Sequence, residues 1–597
     1  MKKKIIFLFS MISIQSFSQM YIGALTPVYV KNQVIYVGQN INLTSNSALY
    51  LRNQSQLVQG TAGLSSNTGT GVLSVYQEGT SDNYDYNYWC SPVGTAGSAT
   101  VGNTNFGVTL LGRPTSSIAT VAATVLPTSN SDGTSSPLAI ASRWIYKLAN
   151  ANNYSQWVQV GSATTIAPGE GFTMKGTSGS DTTDPEGTGI VNNPGTGAQR
   201  YDFRGKPNDG NINVPVGSGN AATLTGNPYP SALHLNAFLL DASNSACTRI
   251  AYFWEQDKTV NSHLLSAYKG GYATYSPISI ASTGIYTPAT FNTYKSDGSI
   301  NNTGTSSMTA VPRKYTPIGQ GFIINGTANS TVTFKNEHRV FYKEGSGLSQ
   351  FAKSSKDETS TTDEEAAIIS HFRINTSINN QFTRQIALAF LPQATDGVDP
   401  GIDALNIDDL PGDVSFLIEN GNYVIQGIPL DLTKKIPLAV KVTTSTTMKF
   451  NIPEVINFDP LQNIYLYDGL DSSYHDIKNG SYLITIAPGT YTDRFKITFS
   501  DKTLGIKKEI KSNFIISQDN ENQLLNVSNP NNITITSFKL YDVLGKAVLT
   551  INKLGVEQNY IFPTSGLSTG IYFATFLTAD NEKISQKVII SNSAKKS

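Results

Sequence analysis

Apolar and polar positions alternate along most of this chain, and the period changes from one stretch to the next. Near the N-terminus Tyr36, Leu43, Tyr50 and Leu57 recur every seven residues, with Val34, Ile41, Ala48 and Ser55 repeating two places earlier. Gly38-Gln39-Asn40, Ser45-Asn46-Ser47 and Arg52-Asn53-Gln54 fall between them. A seven-residue apolar period also suits a coiled coil, but turn formers interrupt every unit and no Glu/Lys pairs flank it. Short strands with tight turns fit better: stacked solenoid rungs, an up-and-down meander, or an alternation inside an ordinary sandwich. Farther along the period is two. Val414, Phe416 and Ile418 alternate with Ser415, Leu417 and Glu419, and Ile464, Leu466 and Asp468 alternate with Tyr465 and Tyr467. Tyr482 to Ile486 and Arg494 to Phe499 read as two more strands of the same compact unit. Short strands at such spacing predict a sandwich.

Between these regions one order of elements occurs twice. The first copy runs Asn87-Tyr88-Trp89-Cys90-Ser91-Pro92, Trp144-Ile145-Tyr146, Pro168-Gly169-Glu170-Gly171-Phe172 and Tyr201-Asp202-Phe203-Arg204-Gly205. The second runs Gly226-Asn227-Pro228-Tyr229-Pro230-Ser231, Tyr252-Phe253-Trp254, Pro317-Ile318-Gly319-Gln320-Gly321-Phe322 and Thr333-Phe334-Lys335-Asn336. A Pro-rich turn, an aromatic strand, a Gly-x-Gly-Phe turn and a closing aromatic strand recur in that order, with loops of different length. The resulting division is a signal peptide at 1–18, a short-period repeat at 19–80, a duplicated region at 81–345 and a linker at 346–365. A β-sandwich at 366–503 and a terminal module at 512–592 follow. The expected fold is all-β and multi-domain, built of Ig-like β-sandwiches, with a short β-solenoid as one reading of 19–80.

Composition sharpens this in three places. Lys2, Lys3 and Lys4, an apolar run from Ile5 to Ile14 and the small residues Ser16 and Ser18 form a secretory signal, so the mature chain is expected to start near Gln19. No later run approaches the roughly 20 apolar residues of a membrane-spanning helix. Lys+Arg and Asp+Glu balance at 43 each, which leaves no field to attract nucleic acid or anionic membrane. Ser346 to Glu365 is too polar to bury a core of its own. Cys90 and Cys247 are two thiols far apart, consistent with one bridge or with two small buried side chains.

The terminal module carries a resemblance. Ser537 to Asp542 is a strand, Val543-Leu544-Gly545-Lys546 a turn and Ala547 to Thr550 the returning strand. Leu567-Ser568-Thr569-Gly570-Ile571-Tyr572 then turns sharply into another, and Lys587-Val588-Ile589-Ile590 closes the order. This resembles the C-terminal sorting domain, type A, of type IX secretion system cargo in Bacteroidetes, through Tyr541, Asp542, Gly545, Lys546, Gly570, Ile571 and Tyr572. Ile516-Ser517-Gln518-Asp519 stands where the family usually opens with Tyr-Pro-Asn-Pro. The resemblance implies passage through the outer membrane by that machinery and a secreted or cell-surface location. The Trp-Cys-Ser-Pro-Val, Gly-Asn-Pro-Tyr-Pro-Ser and Gly-Gln-Gly-Phe elements are also similar to those of large flavobacterial surface proteins.

Candidate chemistry is sparse. His234, His263, His338, His371 and His475 are isolated, and no two share a metal-ligand spacing. No Gly-x-Ser-x-Gly elbow occurs. Glu170, Glu255 and Asp257 are the carboxylates in the duplicated region that a dispersed glycosidase pair would draw on. Asp396, Asp399 and Asp403, with Asp408 and Asp409, lie in one Gly-containing loop; they suit either Ca²⁺, which takes six to eight oxygens, or plain solvation. Trp89, Trp144, Trp157 and Trp254 all fall in the duplicated region, and Tyr84, Tyr86 and Tyr88 are placed to share one strand face. Such rings serve as core or as platforms for sugar faces. Three functions follow: an adhesive or structural surface protein that binds glycan or another cell-surface component, a secreted polysaccharide hydrolase, and an assembly module. The lack of catalytic constellations ranks the non-catalytic, adhesive reading first, with no cofactor other than Ca²⁺ in view.

Overall fold

The computed structural model describes residues 19–97, 100–160, 165–345, 347–351, 368–408, 410–501, 515–529, 532–579 and 583–591. The expected signal peptide, most of the expected linker and Asp409 lie outside them. The chain is all-β, about half strand and about 4% helix.

At the N-terminus strands pair in parallel with strands one rung later. Met20–Ile22 lies along Ile41–Leu43, Pro27–Lys31 along Ala48–Arg52, and Val34–Val37 along Gln56–Gln59. Met20 meets Ile41 and Pro27 meets Ala48, each twenty-one positions on (41 − 20, 48 − 27), so three seven-residue sides complete one turn of a solenoid. A meander would need antiparallel neighbours. Leu25, Asn32, Asn46 and Asn53 stand at corners with φ between 47° and 61°. Asn tolerates that left-handed conformation better than most residues do, which suits Asn32, Asn46 and Asn53 to corners spaced by multiples of seven residues. Leu43, Leu49, Leu51 and Leu57 point inward and are buried.

The third rung, Val72–Glu78, pairs in parallel with Ala48–Arg52 on one edge and antiparallel with Arg200–Pro207 on the other. The solenoid thus feeds directly into an antiparallel sheet. Arg52, buried to 1% exposure, ties the rungs together. Its guanidinium donates to the Ser74 carbonyl and hydroxyl and lies 3.6 Å from the centre of the Tyr76 ring.

The two sequence copies fold alike at their centres. In the first, Gly171–Lys175 pairs antiparallel with Tyr86–Cys90, setting Gly171 opposite Cys90 and Phe172 opposite Trp89. In the second, Gly321–Gly326 pairs antiparallel with Ala221–Gly226, setting Gly321 opposite Gly226 and Phe322 opposite Thr225. The copies then meet edge to edge, with Cys90 N donating to Gly319 O at 2.8 Å and Trp89 bridging Gln320. Three glycines permit this approach. A Cβ on Gly321 would stand 2.7 Å from Trp89 N, one on Gly226 2.6 Å from Cys90 Cβ, and one on Gly171 2.7 Å from Thr225 O.

Residues 368–499 make one eleven-stranded sheet instead of the two facing sheets expected of a sandwich. Its strands run from Ser473–Asp476 at one end to Tyr482–Ile486 at the other. The Ile477 carbonyl accepts from Ile452 N, and its own N–H donates to Ile464 O, so the segment bridges strands from both ends and curls the sheet toward a barrel. Alternation marks which face of a strand is buried, and it does not say which edges meet. The core is also continuous with the duplicated region: Ile250, Tyr252 and Ile323 belong to the same apolar cluster as Phe372, Leu388, Phe416 and Phe495.

The terminal module has a three-stranded and a four-stranded sheet around Phe538, Phe562 and Phe576. Phe538 stacks on the other two at 4.2 and 4.5 Å.

Replacing Gly321 with Ala forces the two copies apart at Trp89. A loss of about 1–3 kcal/mol in denaturant unfolding is expected; unchanged stability would show that the junction tolerates a methyl group.

Candidate functional site

Period-two side-chain alternation divides Tyr86–Cys90 between two environments. Trp89 turns into the core beside Tyr201, Phe203 and Phe351. Tyr86 and Tyr88 turn the other way, into an open cavity of about 560 Å³. Three of the four tryptophans, Trp144, Trp157 and Trp254, line it together with seven tyrosines. The first copy contributes Tyr86, Tyr88, Tyr146 and Tyr154, and the second contributes Tyr268, Tyr272 and Tyr294. Both segments therefore contribute to the cavity wall, and neither encloses it alone.

The rings are held in place by one another. Tyr88 lies nearly parallel to Trp254, with centroids 6.1 Å apart and planes 8° from coplanar, and edge-on to Trp157 at 6.1 Å. Its hydroxyl shares a 2.8 Å hydrogen bond with that of Tyr272. Trp254 Nε1 donates to Gln256 Oε1 at 2.9 Å, and the same oxygen accepts from Tyr86 N at 2.8 Å. Asn152, Asn153 and Ser155, all exposed, bring hydrogen-bonding groups to the opening. Among the described lining residues there is no Asp, Glu, His, Lys or Arg.

Charge sits just behind this wall. The buried Lys175 ammonium lies 4.2 Å from the centre of the Trp144 ring and 4.8 Å from that of Tyr86. It contacts His263 Nδ1 at 3.1 Å, and His263 Nε2 meets Asp132 at 2.9 Å. An ammonium can only donate, so Nδ1 accepts and the ring proton on Nε2 goes to Asp132. His263 also stacks on Trp144 at 5.1 Å, clasping a loop of the second copy to the first. Burial lowers the Lys175 pKa to about 8. Burial, with the neighbouring Asp82 charge, raises the Asp85 pKa to about 7.

The carboxylates singled out in the sequence lie elsewhere. Glu170 is paired with Lys147 at 3.1 Å and accepts from Ala167 N. Glu255 accepts from the Tyr286 and Ser307 hydroxyls and from Ala289 N. Asp257 caps its own turn through Thr259. The Asp396–Asp403 loop does not gather its carboxylates around one point. Asp396 is exposed and pairs with Lys434. Asp399 accepts from Thr395 N and Oγ1, and Asp403 from Asp399 N and Gly427 N. Asp408 and Asp413 both hold Arg384, at 2.9 and 2.6 Å. Among the described residues no three His, Cys, Asp or Glu side chains converge as metal ligands. The loop instead joins the near-barrel to the second copy, with Ser276 Oγ donating to the Gly401 and Ile402 carbonyls. Cys90 and Cys247 are buried free thiols.

In the terminal module the motif residues build turns. The Asp542 carboxylate accepts from Leu544 N and Lys546 N, and Gly545 takes φ 77° behind it. The Tyr572 hydroxyl donates to Ser568 O at 2.8 Å, closing the turn that carries Gly570 and Ile571. Tyr541 reaches out of the module to Asp459.

The raised Asp85 pKa fixes a sign. A carboxyl that holds its proton up to about pH 7 when folded, and only to about pH 4 when unfolded, makes the fold lose stability as pH rises through that interval. Asp85→Asn is expected to shrink the drop in denaturant midpoint between pH 4 and pH 7. An unaltered drop would show that Asp85 is ionised throughout. Metal adds a second check: with the loop carboxylates engaged internally, adding Ca²⁺ to chelator-treated protein is expected to leave the melting temperature unchanged. A rise of several degrees would restore the loop as a cation site.

Comparison with known proteins bears on both parts of the chain. No curated protein matches it. Among solved structures, a "Biofilm associated protein - BSP domain" aligns over 87% of this chain and 96% of its own, at 7% identity and a TM-score of 0.11. Residues 520–591 match the secretion system C-terminal sorting domain, which makes the protein type IX secretion cargo, delivered to the cell surface or the extracellular space. Among the described residues no helix is long and apolar enough to cross a membrane. Residues 121–499, which contain the second copy, the near-barrel and most of the cavity wall, match the model of a domain of unknown function, DUF8693, and the chain belongs to that family.

Proposed function

We propose that the exported protein binds glycan at the cell surface, as an adhesive or structural component, through the aromatic cavity between its two copies. The observation that carries this reading is the lining itself: three tryptophans and seven tyrosines around about 560 Å³, open to solvent and free of ionisable groups other than phenols among the described residues. A pyranose presents an apolar C–H face and a rim of hydroxyls. Indole and phenol rings pair an apolar body with one polar atom, which suits both parts of such a ligand. Trp157 and Trp144 supply broad faces, and Asn152, Asn153 and Ser155 supply partners for hydroxyls at the mouth. The rings brace one another before any ligand arrives, so little ordering entropy is lost on binding.

A hydrolase reading asks for two carboxyl groups about 5 to 9.5 Å apart across the bond to be cut. The carboxyl groups singled out in this region are engaged in ion pairs, backbone contacts or hydroxyl contacts away from the cavity. That arrangement supports binding over cleavage.

The test is a polysaccharide pull-down and glycan array with the full chain, with released sugar assayed in the same mixtures. Binding without release is expected. Trp157→Ala, in a largely exposed loop, is expected to weaken binding about tenfold. Released reducing sugar would overturn the reading in favour of an enzyme, and no binding to any glycan would remove it altogether.

A further inference from the structure

A second cavity, of about 310 Å³, adjoins the first. The two share Leu148, Ala222 and Tyr272 as a common wall. They are successive chambers along the same strand, Cys247–Gln256. Trp254 faces the first chamber and Tyr252, two residues back on the same side, faces the second, about 7 Å away along the strand. The far wall comes from the near-barrel, through Leu405 and Ile407. Ile407 and Asn220 are exposed, so this chamber opens to solvent.

Tyr252 is the informative residue. Its side chain is fully buried, and its hydroxyl has no hydrogen-bond partner among the described residues. Buried phenol oxygens are ordinarily partnered, because an unpaired one keeps the desolvation cost with nothing in return. The neighbouring phenols follow the rule: Tyr88 and Tyr272 bond each other, and Tyr275 bonds Asn236. An unpaired hydroxyl beside an apolar chamber that opens to solvent is what a ligand hydroxyl would complete.

We infer that the cleft takes an extended neutral oligosaccharide, stacked in the first chamber and running on into the second, where the Tyr252 hydroxyl bonds a sugar hydroxyl. The inference rests on the glycan reading and adds length and charge class to it. Neither chamber is lined by an acidic or basic side chain among the described residues, so no lining group offers a counter-charge to a uronate or sulfated chain.

Isothermal titration of the full chain against gluco-, manno-, xylo- and chito-oligosaccharides, each as disaccharide and hexasaccharide, tests this. The hexasaccharide of at least one series is expected to bind more tightly than its disaccharide. Tyr252→Phe is expected to weaken the hexasaccharide about five- to tenfold, the worth of one hydrogen bond, to leave the disaccharide unchanged, and to hold or raise the melting temperature, because an unpaired buried hydroxyl is removed. Trp157→Ala is expected to weaken both lengths. Equal affinity for both lengths in the parent protein would overturn the two-chamber site while leaving the glycan reading intact. So would a Tyr252→Phe variant that melts earlier yet binds both lengths as the parent does. Failure of every probe to bind would remove the glycan reading, and this inference with it.

Discussion

Two backbones pass each other at Trp89 closer than any side chain would allow, and the rest of the duplicated region is arranged around that passage. Gly171, Gly226 and Gly321 stand where a Cβ would meet backbone or Cβ atoms of the opposing strands at 2.5 to 2.7 Å. Because the copies approach this closely, Cys90 N reaches Gly319 O, and the Gly-x-Gly turn of the second copy caps the edge of the first. Trp89 is then sealed on one side of the strand, and Tyr86 and Tyr88 are delivered to the other. Packing at this density leaves little freedom to slide, so the spacing of the aromatic rings in the cavity follows from the glycines behind it.

The polar groups near the cavity have structural work that frees the lining from charge. Lys175 sits under the Trp144 and Tyr86 rings, where an ammonium is drawn to the negative face of an aromatic system. The His263–Asp132 contact then anchors the loop that carries Leu265 and Tyr268 to the opposite copy. The Asp396–Asp403 loop performs the same kind of service on the other flank, tying the near-barrel to Ser276 and Thr248. Asp403 satisfies the buried Gly427 N–H at this joint, which is the ordinary requirement on buried amides.

Export is thus assigned to a part of the chain separate from the aromatic cavity. The terminal module has its own core around Phe538, Phe562 and Phe576, and its motif residues are turn formers whose roles are local: Asp542 caps, Gly545 reverses and Tyr572 closes. That locality is why the module was legible from order and residue type. Asp542 and Gly545 impose their turn wherever the chain carries them.

The sequence by itself determined the all-β class, the seven-residue period near the N-terminus and the sorting module. Each of these is written in neighbouring residues: period two or seven, an Asn at a corner, an Asp-x-x-Gly turn. Only the tertiary structure decided what those elements enclose. The alternation at Tyr86, Asn87, Tyr88 and Trp89 announced two faces, but which became core depended on Gln320, more than two hundred residues on. The strands after Ser370 read as a sandwich because alternation marks a buried face; whether that sheet meets another or curls toward itself is set by a few long-range bonds at Ile477. The aspartates read either as a metal loop or as a solvated one because charge and spacing are local, whereas the backbone amides that Asp403 accepts from lie on Asp399 beside it and on Gly427 in another strand. Tyr252 was legible only as one ring of the Tyr252-Phe253-Trp254 strand, since an unpaired hydroxyl is defined by everything around it that fails to reach it.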